Sequence, residues 1–419
     1  MATDYWVMEN ALEYTDPKVV VIDCFGLSGN NKSSISFSQL HLSLDAFPLS
    51  ATKIKTIWDL LDDPVLEEEL QSGIISESVE PRTKMELLWD YSVYHSRWTE
   101  IEQSDFEPEL TYEKGAESRI GVIDGAFNKI PPGRKMEPGT TSEQYLRRMI
   151  EECQDIGIEV LLIYLPFSAD ENYQMEANYV YDIAGEYGVN YINFLDMDLV
   201  NYQTDLYDGA AHLNPSGARK VSDYLGEYLT SNYDIPDQRD NEDYSFWHED
   251  YEEYIEMKDR HITWTNNIVE YLVLLAGDHA DIAMDIRNTD IFNNDRVVEA
   301  LENLGIDADE LTEDTDFIII RNGGEKAAVI NELRDEGEAA VTGLGNVQIF
   351  YDTEGSHNNG ESGYYGLYLD GNECLAGNMN DSTSLQISVT RGEVAVDTVR
   401  FVYTVDAETT MVNTYIVDR

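Results

Sequence analysis

Pro166 ends a continuous, mostly aliphatic stretch of the chain, Val160-Leu161-Leu162-Ile163-Tyr164-Leu165. Similar runs occupy residues 19–22, just after Lys18, and residues 191–195. Such runs are typical of strands that are buried on both faces of a parallel sheet. Strands with one solvent-exposed face instead alternate apolar and polar residues. The three runs therefore predict three strands of a parallel sheet.

Amphipathic segments lie between and after these runs. Apolar residues recur at 3- and 4-residue spacing over residues 145–153, and Gly157 follows that stripe. The same spacing is found over residues 168–188 and 216–229. Alternating strands and helices with short connections predict an open α/β sheet.

The composition of the chain changes near Pro236, within a polar and charged segment that is typical of linkers. We therefore predict an α/β domain over residues 1–236, with an irregular insertion at about 33–139. Residues 237–419 should form a second domain. It should begin with one long helix over about 249–277, with Trp264 on its buried side, and continue as a mostly antiparallel β-rich domain. Asp370-Gly371 predicts a hairpin turn there.

Acidic residues dominate the composition, with 82 Asp and Glu against 27 Lys and Arg and a formal net charge of −55 over 419 residues. Such a surface repels nucleic acid and anionic membranes. The seven histidines and three cysteines lack metal-ligand spacing, and no glycine-rich nucleotide motif occurs, so we expect neither a metal nor a cofactor. No apolar run is long enough to span a membrane, and the first residues do not resemble a signal peptide.

One loop after the third predicted strand carries residue types used in acid–base chemistry. It reads Tyr207-Asp208-Gly209-Ala210-Ala211-His212-Leu213-Asn214-Pro215. Open α/β sheets bind ligands where their strands end, and a carboxylate beside an imidazole prepares it to take a proton from a hydroxyl nucleophile. His212 is therefore a candidate general base, with Asp208 ranked before Asp205 as its partner. A merely solvated histidine is the alternative, which this strand–loop–helix setting disfavours.

This stretch resembles the last motif block of the SGNH, or GDSL-type, hydrolase family, in which an acidic residue and His-Leu-Asn precede a closing amphipathic helix. The resemblance covers about residues 1–236 and implies a flavodoxin-like parallel sheet. Residues 42–50 and 94–98 resemble insertions of a bacterial branch that is related to envelope polysaccharide O-acylation proteins. The implied activity is that of an ester hydrolase or O-acyltransferase on acyl groups of carbohydrate or cell-envelope polymer, without a cofactor. The implied location is extracytoplasmic or at the cell surface.

The resemblance also suggests groups that bind the substrate. Gly26 and Asn30 follow a strand where the family places oxyanion-hole donors, and Asn214 belongs to the histidine block. His95 and Arg97 would contact an anionic or sugar ligand. A backbone turn is the simpler explanation for Gly26 and Asn30, and a structural role in the insertion is the alternative for His95 and Arg97.

Two departures from the family pattern affect this hypothesis. The family places Asp three residues before its histidine, where this chain has Gly209. The family serine lies in a strand before the one matched by residues 19–22, but residues 1–18 contain no serine, and Ser28 suits a turn better. We therefore expect an N-terminally truncated domain with little or no esterase activity. The alternative is a non-catalytic glycan-binding or adaptor protein for a membrane-bound O-acyltransferase.

Overall fold

The structure is a computed structural model. It describes residues 1–29, 32, 37–62, 84–89, 116–277, 279–331, 338–341, 343–352, 364–378, 385–405 and 412–418. These residues belong to two compact units. The first comprises Met1–Leu110, Phe127–Leu199 and Glu227–Pro236, and the second comprises Thr111–Ala126, Val200–Gly226 and Asp237–Arg419. Two segments of the N-terminal half are thus grouped with the C-terminal half, whereas the predicted division placed all of residues 1–236 in one domain.

The helices of the described residues are α1 (Ala2–Leu12), α2 (Phe37–Leu44), α3 (Ala51–Leu61), α4 (Lys84–Leu88), α5 (Thr140–Asp155), α6 (Glu171–Tyr187), α7 (Pro215–Asn232), α8 (Phe246–Ile262), α9 (Ile268–Leu275) and α10 (Asp295–Glu302).

The strands of the described residues are β1 (Val19–Asp23), β2 (Glu159–Tyr164), β3 (Asn190–Asn193), β4 (Asp281–Ile286), β5 (Thr315–Arg321), β6 (Lys326–Asn331), β7 (Glu338–Val341), β8 (Val347–Asp352), β9 (Tyr364–Leu369), β10 (Asn372–Asn378), β11 (Leu385–Arg391), β12 (Val394–Val405) and β13 (Val412–Asp418).

The first unit contains the predicted parallel sheet, with strand order β1-β2-β3. Val20 pairs with Val160 and Ile163 with Ile192 in parallel register. Every residue of β2 after Glu159 is buried, and Val160, Leu162 and Tyr164 share one core with side chains of α1, α5 and α6. Local signals set the helix ends: the Asp170 carboxylate caps α6, and left-handed Gly188 (φ 68°) ends it.

The second unit contains antiparallel sheets, as predicted. One has the strand order β13-β12-β11-β4-β5-β6 and the other β10-β9-β8-β7. Neighbouring residues of β5 face different cores. Ile318 packs with the helices α9 and α10, whereas Phe317 and Ile319 pack with strands of the second sheet. Residues 317–320 of β5 are therefore all apolar and buried although the sheet is antiparallel, and the protein as described is a mixed α/β structure.

The single long helix predicted for residues 249–277 is wrong, because α8 and α9 are separate helices. The Thr265 hydroxyl donates to the His261 carbonyl at 2.8 Å, and the Asn267 side chain accepts backbone N–H groups at the start of α9. These local bonds compete with a continuous helix. Trp264, predicted to be buried, lies in the break and is 73% exposed, because the helical phase that would bury it ends at Ile262.

The predicted hairpin turn is confirmed: Asp370 and Gly371 have φ values of 52° and 88° and connect β9 to β10. Over the described ranges, no helix combines the length and apolar character that crossing a membrane requires.

Candidate functional site

The loop that carries His212 is closed on itself within the second unit. Leu206 and Leu213 form an antiparallel bridge, and the Tyr207 N–H donates to the His212 carbonyl at 2.9 Å. The residues between them therefore form a short turn. This turn brings Asp208 and His212 together although four positions separate them in the sequence.

Asp208 uses both of its carboxylate oxygens. Oδ1 accepts the backbone N–H groups of Ala210, Ala211 and His212 at 2.9, 2.9 and 3.1 Å. Oδ2 lies 2.6 Å from Nδ1 of His212. The Asp208 carboxylate thus stabilises the turn through Oδ1 and orients the imidazole through Oδ2. The structure brings together the residue pair that the sequence analysis ranked first.

The electrostatics of Asp208 decide which ring nitrogen carries the proton. Partial desolvation alone would raise the pKa of Asp208, but the bond from His212 and the three backbone N–H groups hold this pKa far below its ordinary value. An ionised carboxylate can only accept, so Nδ1 of His212 must carry a hydrogen. Neutral His212 then has its lone pair on Nε2, to which no group in the described part of the chain donates a hydrogen bond. The His212 side chain is 54% exposed.

Gly209 is required by the backbone of this turn. Its φ of 69° lies in the left-handed region, and a Cβ placed there would lie 2.8 Å from the Asp124 carbonyl oxygen and 2.9 Å from Cγ2 of Ile123. Backbone conformation and close packing therefore explain why position 209 is a glycine. It lets the chain turn back so that Asp208, rather than residue 209, reaches the ring.

A segment that the sequence analysis did not connect with the site packs along the loop. The Ile123 N–H donates to the Leu206 carbonyl at 3.1 Å, and the Gly125 N–H donates to the Tyr202 carbonyl at 2.7 Å. The Arg119 guanidinium lies 5.9 Å from the centre of the Tyr207 ring. Residues 119–125 fell within the predicted insertion, and no local motif linked them to residues 202–207.

Asp205 has a different role from Asp208. It is completely buried, and its Oδ2 lies 2.7 Å from Nζ of Lys220 on α7. The same oxygen accepts the Asn201 N–H at 2.8 Å. Asp205 therefore fastens the loop to α7 in this structure, whereas Asp208 is the carboxylate in contact with His212.

Asn214 is buried, and both ends of its amide already have partners. Nδ2 donates to the carbonyl oxygens of Thr204 at 2.7 Å and Gly121 at 3.1 Å. Oδ1 accepts the N–H groups of Ser216 and Gly217 at 3.1 and 3.2 Å, at the start of α7. The amide thus caps a helix and joins two chain segments.

The remaining site candidates belong to residues 1–110. Gly26 lies in a 3₁₀ turn of the first unit, and a Cβ there would lie 2.9 Å from the Met1 nitrogen, so close packing by itself explains this glycine. Asn30, His95 and Arg97 lie outside the described residues.

A second His–Asp pair has the same sequence spacing but different surroundings. Nδ1 of His41 lies 2.8 Å from Oδ1 of Asp45, at the end of α2. Only 13% of the His41 side chain is exposed, against 54% for His212. Of these two pairs, His212–Asp208 is the one whose imidazole a large substrate could reach.

The chemistry available at the His212–Asp208 pair is therefore proton transfer at Nε2 of an imidazole that is 54% exposed. Among the described residues, no group of three or more His, Cys, Asp or Glu side chains could hold a metal ion. The net charge of −55 also disfavours an anionic polymer next to this loop. Comparison with known proteins adds no assignment: no protein-family model, no curated protein and no solved structure matches the chain.

Proposed function

We propose that the chain is an ester hydrolase or O-acyltransferase of the SGNH type, acting on acyl groups of carbohydrate or cell-envelope polymer outside the cytoplasm. The observation that carries this proposal is the contact of 2.6 Å between Asp208 and His212, on a loop that directly precedes an amphipathic helix. This is the geometry of a general base whose tautomer is fixed by an ionised carboxylate.

In the proposed reaction, a hydroxyl oxygen attacks the acyl carbonyl carbon while Nε2 of His212 takes the hydroxyl proton. The carbon–oxygen bond of the ester then breaks, and the same proton passes from Nε2 to the leaving alkoxide. Asp208 stays ionised and stabilises the imidazolium that forms between the two steps. No residue of the chain is assigned as the nucleophile, so the basal rate should be low.

The test supplies the nucleophile from outside. Transfer of the acetyl group from p-nitrophenyl acetate to hydroxylamine should be faster with the protein than without it. His212→Gln should lower the catalysed rate on the order of 10²-fold, and Asp208→Asn should lower it less, because the ring remains. His248→Gln, which changes an exposed histidine on α8, is the matched control. Equal rates in the His212 and His248 variants would refute the assignment of the base.

A non-catalytic glycan-binding or adaptor role is the second candidate, and the surface of α8 favours it. Trp247 and Tyr251, one helical turn apart, are 52% and 43% exposed. Exposed aromatic rings offer flat apolar faces that bind sugar rings or a protein partner such as a membrane-bound O-acyltransferase. Binding of acetylated xylan that Trp247→Ala weakens and Trp264→Ala leaves unchanged, without acetyl transfer in the hydroxylamine assay, would favour this role over the hydrolase.

A further inference from the structure

The helix α8 is held on the second unit by its C-terminal end. Ile262 is completely buried in one core with side chains of α9 and β11. The Asp259 carboxylate accepts bonds from the Arg391 guanidinium at 2.6 and 2.9 Å. At the other end of the helix, every residue from Phe246 to Glu253 except Asp250 is exposed. The first two turns of α8 therefore lie outside the core that buries Ile262.

One side of α8 carries a continuous stripe of large side chains. It consists of residues at steps of three or four positions, which lie on the same side of a helix: Trp247, Tyr251, Tyr254, Lys258 and Ile262. Lys258 and Ile262 are 2% and 0% exposed, whereas Trp247 and Tyr251 are 52% and 43% exposed. The stripe is therefore covered at one end of the helix and open to solvent at the other. Tryptophan and tyrosine in such positions are typical of protein interfaces.

The exposed turns are also strongly acidic. Residues 240–257 contain eight Asp and Glu and no Lys or Arg. Glu252 follows Tyr251 by one position and lies at the side of the stripe, about 100° around the helix from that tyrosine. Glu249 is two positions from both Trp247 and Tyr251, and it therefore lies on the opposite side of the helix. The surface thus combines exposed rings with a negative charge that its own segment does not balance.

The charge disfavours several occupants of this surface. A second copy of the chain would bring the same eight carboxylates, and phosphate polymers or anionic membranes would be repelled. A neutral sugar can stack on the rings but leaves the carboxylates unbalanced. A cation is compatible with both features, since Nζ of Lys258 already lies 5.7 Å from the centre of the Tyr254 ring. The occupant should therefore be basic.

The length of the stripe separates a polypeptide from a small cation. Trp247 and Tyr254 are about 10 Å apart along the helix axis, so an ammonium ion that contacts one ring leaves the other in water. A second helix with apolar residues at steps of three and four positions can cover both rings. Lysine or arginine beside that apolar row would then lie close to Glu252.

We propose that the first two turns of α8 bind a basic amphipathic helix of a partner polypeptide. Its apolar side chains pack on Trp247 and Tyr251, and its lysine or arginine side chains lie beside Glu252. This packing continues along the stripe that the core covers at Ile262. The inference deepens the adaptor role by naming the chemistry of the partner, and it does not depend on proton transfer at His212.

The experiment measures binding of a fluorescent helical peptide of about 18 residues to the full chain by fluorescence polarisation. The peptide has leucine at steps of three and four positions, lysine on both sides of the leucines and alanine elsewhere. We expect saturable binding that weakens as salt is added, because the contacts beside the leucines are ionic. A peptide of the same composition with its leucines dispersed around the helix should bind about tenfold more weakly. Equal binding of the two peptides would mean that the net charge of −55 attracts any basic chain, and would overturn the proposal.

Variants of exposed residues locate the binding site. Trp247→Ala should lower the affinity for the lysine peptide by about tenfold or more, whereas Trp264→Ala, in the break after α8, should leave it unchanged. Glu252→Lys should also weaken binding, and Glu249→Lys, on the opposite side of the helix, is its matched control and should have a smaller effect. All four positions are exposed, so the melting temperatures should stay close to that of the unmodified protein.

Two further results would contradict the proposal. Equal affinity of the lysine peptide for the Trp247→Ala variant, the Glu252→Lys variant and the unmodified protein would place the peptide elsewhere. Binding of acetylated xylan that Trp247→Ala weakens, without binding of the lysine peptide, would assign the stripe to sugars instead. Neither result depends on the hydroxylamine assay, so failure of this proposal is distinguishable from failure of the hydrolase proposal.

Discussion

Lys220 lies 2.7 Å from Asp205, and the Asp205 side chain has no exposed surface. The pair joins the loop before His212 to α7, and the close approach continues at Gly217, where a Cβ would lie 2.5 Å from the Asp205 carbonyl oxygen. The loop is therefore anchored by a buried ion pair at its start, and the exposed imidazole lies at its end.

Removing the cation of this pair should be strongly destabilising. Lys220→Met leaves the buried Asp205 carboxylate without its ion-pair partner, so we expect the free energy of unfolding to fall by about 3–5 kcal/mol. Denaturant unfolding measures this loss. The double variant Lys220→Met with Asp205→Asn should recover part of it, because no buried charge remains. If the single and double variants were equally unstable, the loss would come from packing and not from the unpaired charge.

The contact between Asp208 and His212 predicts a single tautomer of the neutral ring. Nitrogen-15 NMR of the neutral His212 ring should show a protonated Nδ1 and an unprotonated Nε2. Asp208→Asn should produce a mixture, because an amide can both donate to Nδ1 and accept from it. His248 is the internal reference in the same spectra. A mixture in the unmodified protein would contradict the proposed orientation of the base.

Acid should destabilise the turn that contains Asp208 and His212. The pKa of Asp208 is held below its ordinary value of 3.8 in the folded protein, so its contribution to stability is present above about pH 3.8. That contribution is lost as the pH falls towards the lower folded pKa. Asp208→Asn should therefore narrow the difference in melting temperature between pH 5 and pH 3. An unchanged difference would mean that this carboxylate does not hold the turn in solution.

Gly209→Ala should disturb the turn directly. The methyl group would meet the Asp124 carbonyl oxygen at 2.8 Å in a backbone conformation with positive φ, so we expect a loss of more than about 1 kcal/mol. Gly226→Ala is the matched control, since that glycine lies exposed in α7 with no atom within 4 Å of the added methyl. A helical alanine there should be neutral or stabilising. Thermal unfolding compares the two, and equal melting temperatures would contradict the crowding at Gly209.

A carboxyl pair between α1 and α5 should make the first unit less stable as the pH rises. Burial and a hydrogen bond with Glu152 raise the pKa of Glu9 from 4.5 to about 7. The contribution of protonated Glu9 is fully present below about pH 4.5 and is lost as the pH rises through about 7. Glu9→Gln should therefore raise the melting temperature at pH 8 and change it little at pH 5. Glu227→Gln, at an exposed position, should show no such difference between the two pH values.

Much of the fold was predictable because its signals are local. The aliphatic runs predicted β1, β2 and β3, the Asp370-Gly371 pair predicted a hairpin, and the amphipathic stripes predicted α5, α6 and α7. Strands β6, β7, β10 and β13 could not be located from the sequence, because their short and partly polar segments lack a clear period and their pairing partners define them. The break between α8 and α9 was not predicted, because the helical spacing of apolar residues continues across it.

The candidate site was predictable only in part. His212 and Asp208 lie within one short loop, and residues this close in sequence meet whenever the backbone can turn, as Gly209 allows it to. The sequence could only rank Asp208 before Asp205 as the carboxylate that contacts His212. The structure separates the two candidates, because Asp205 is buried and contacts Lys220.

By itself, the sequence determined the aliphatic strands β1, β2 and β3, the turn at Asp370-Gly371 and the excess of acidic residues, because each depends on side chains within a few positions or on composition. The tertiary structure alone decided that the Asn214 amide donates to the carbonyl of Gly121, 93 positions away, and that Asp205 is buried. These features depend on which distant segments fill the space around a residue. No local pattern encodes that space, because it exists only after the chain has packed.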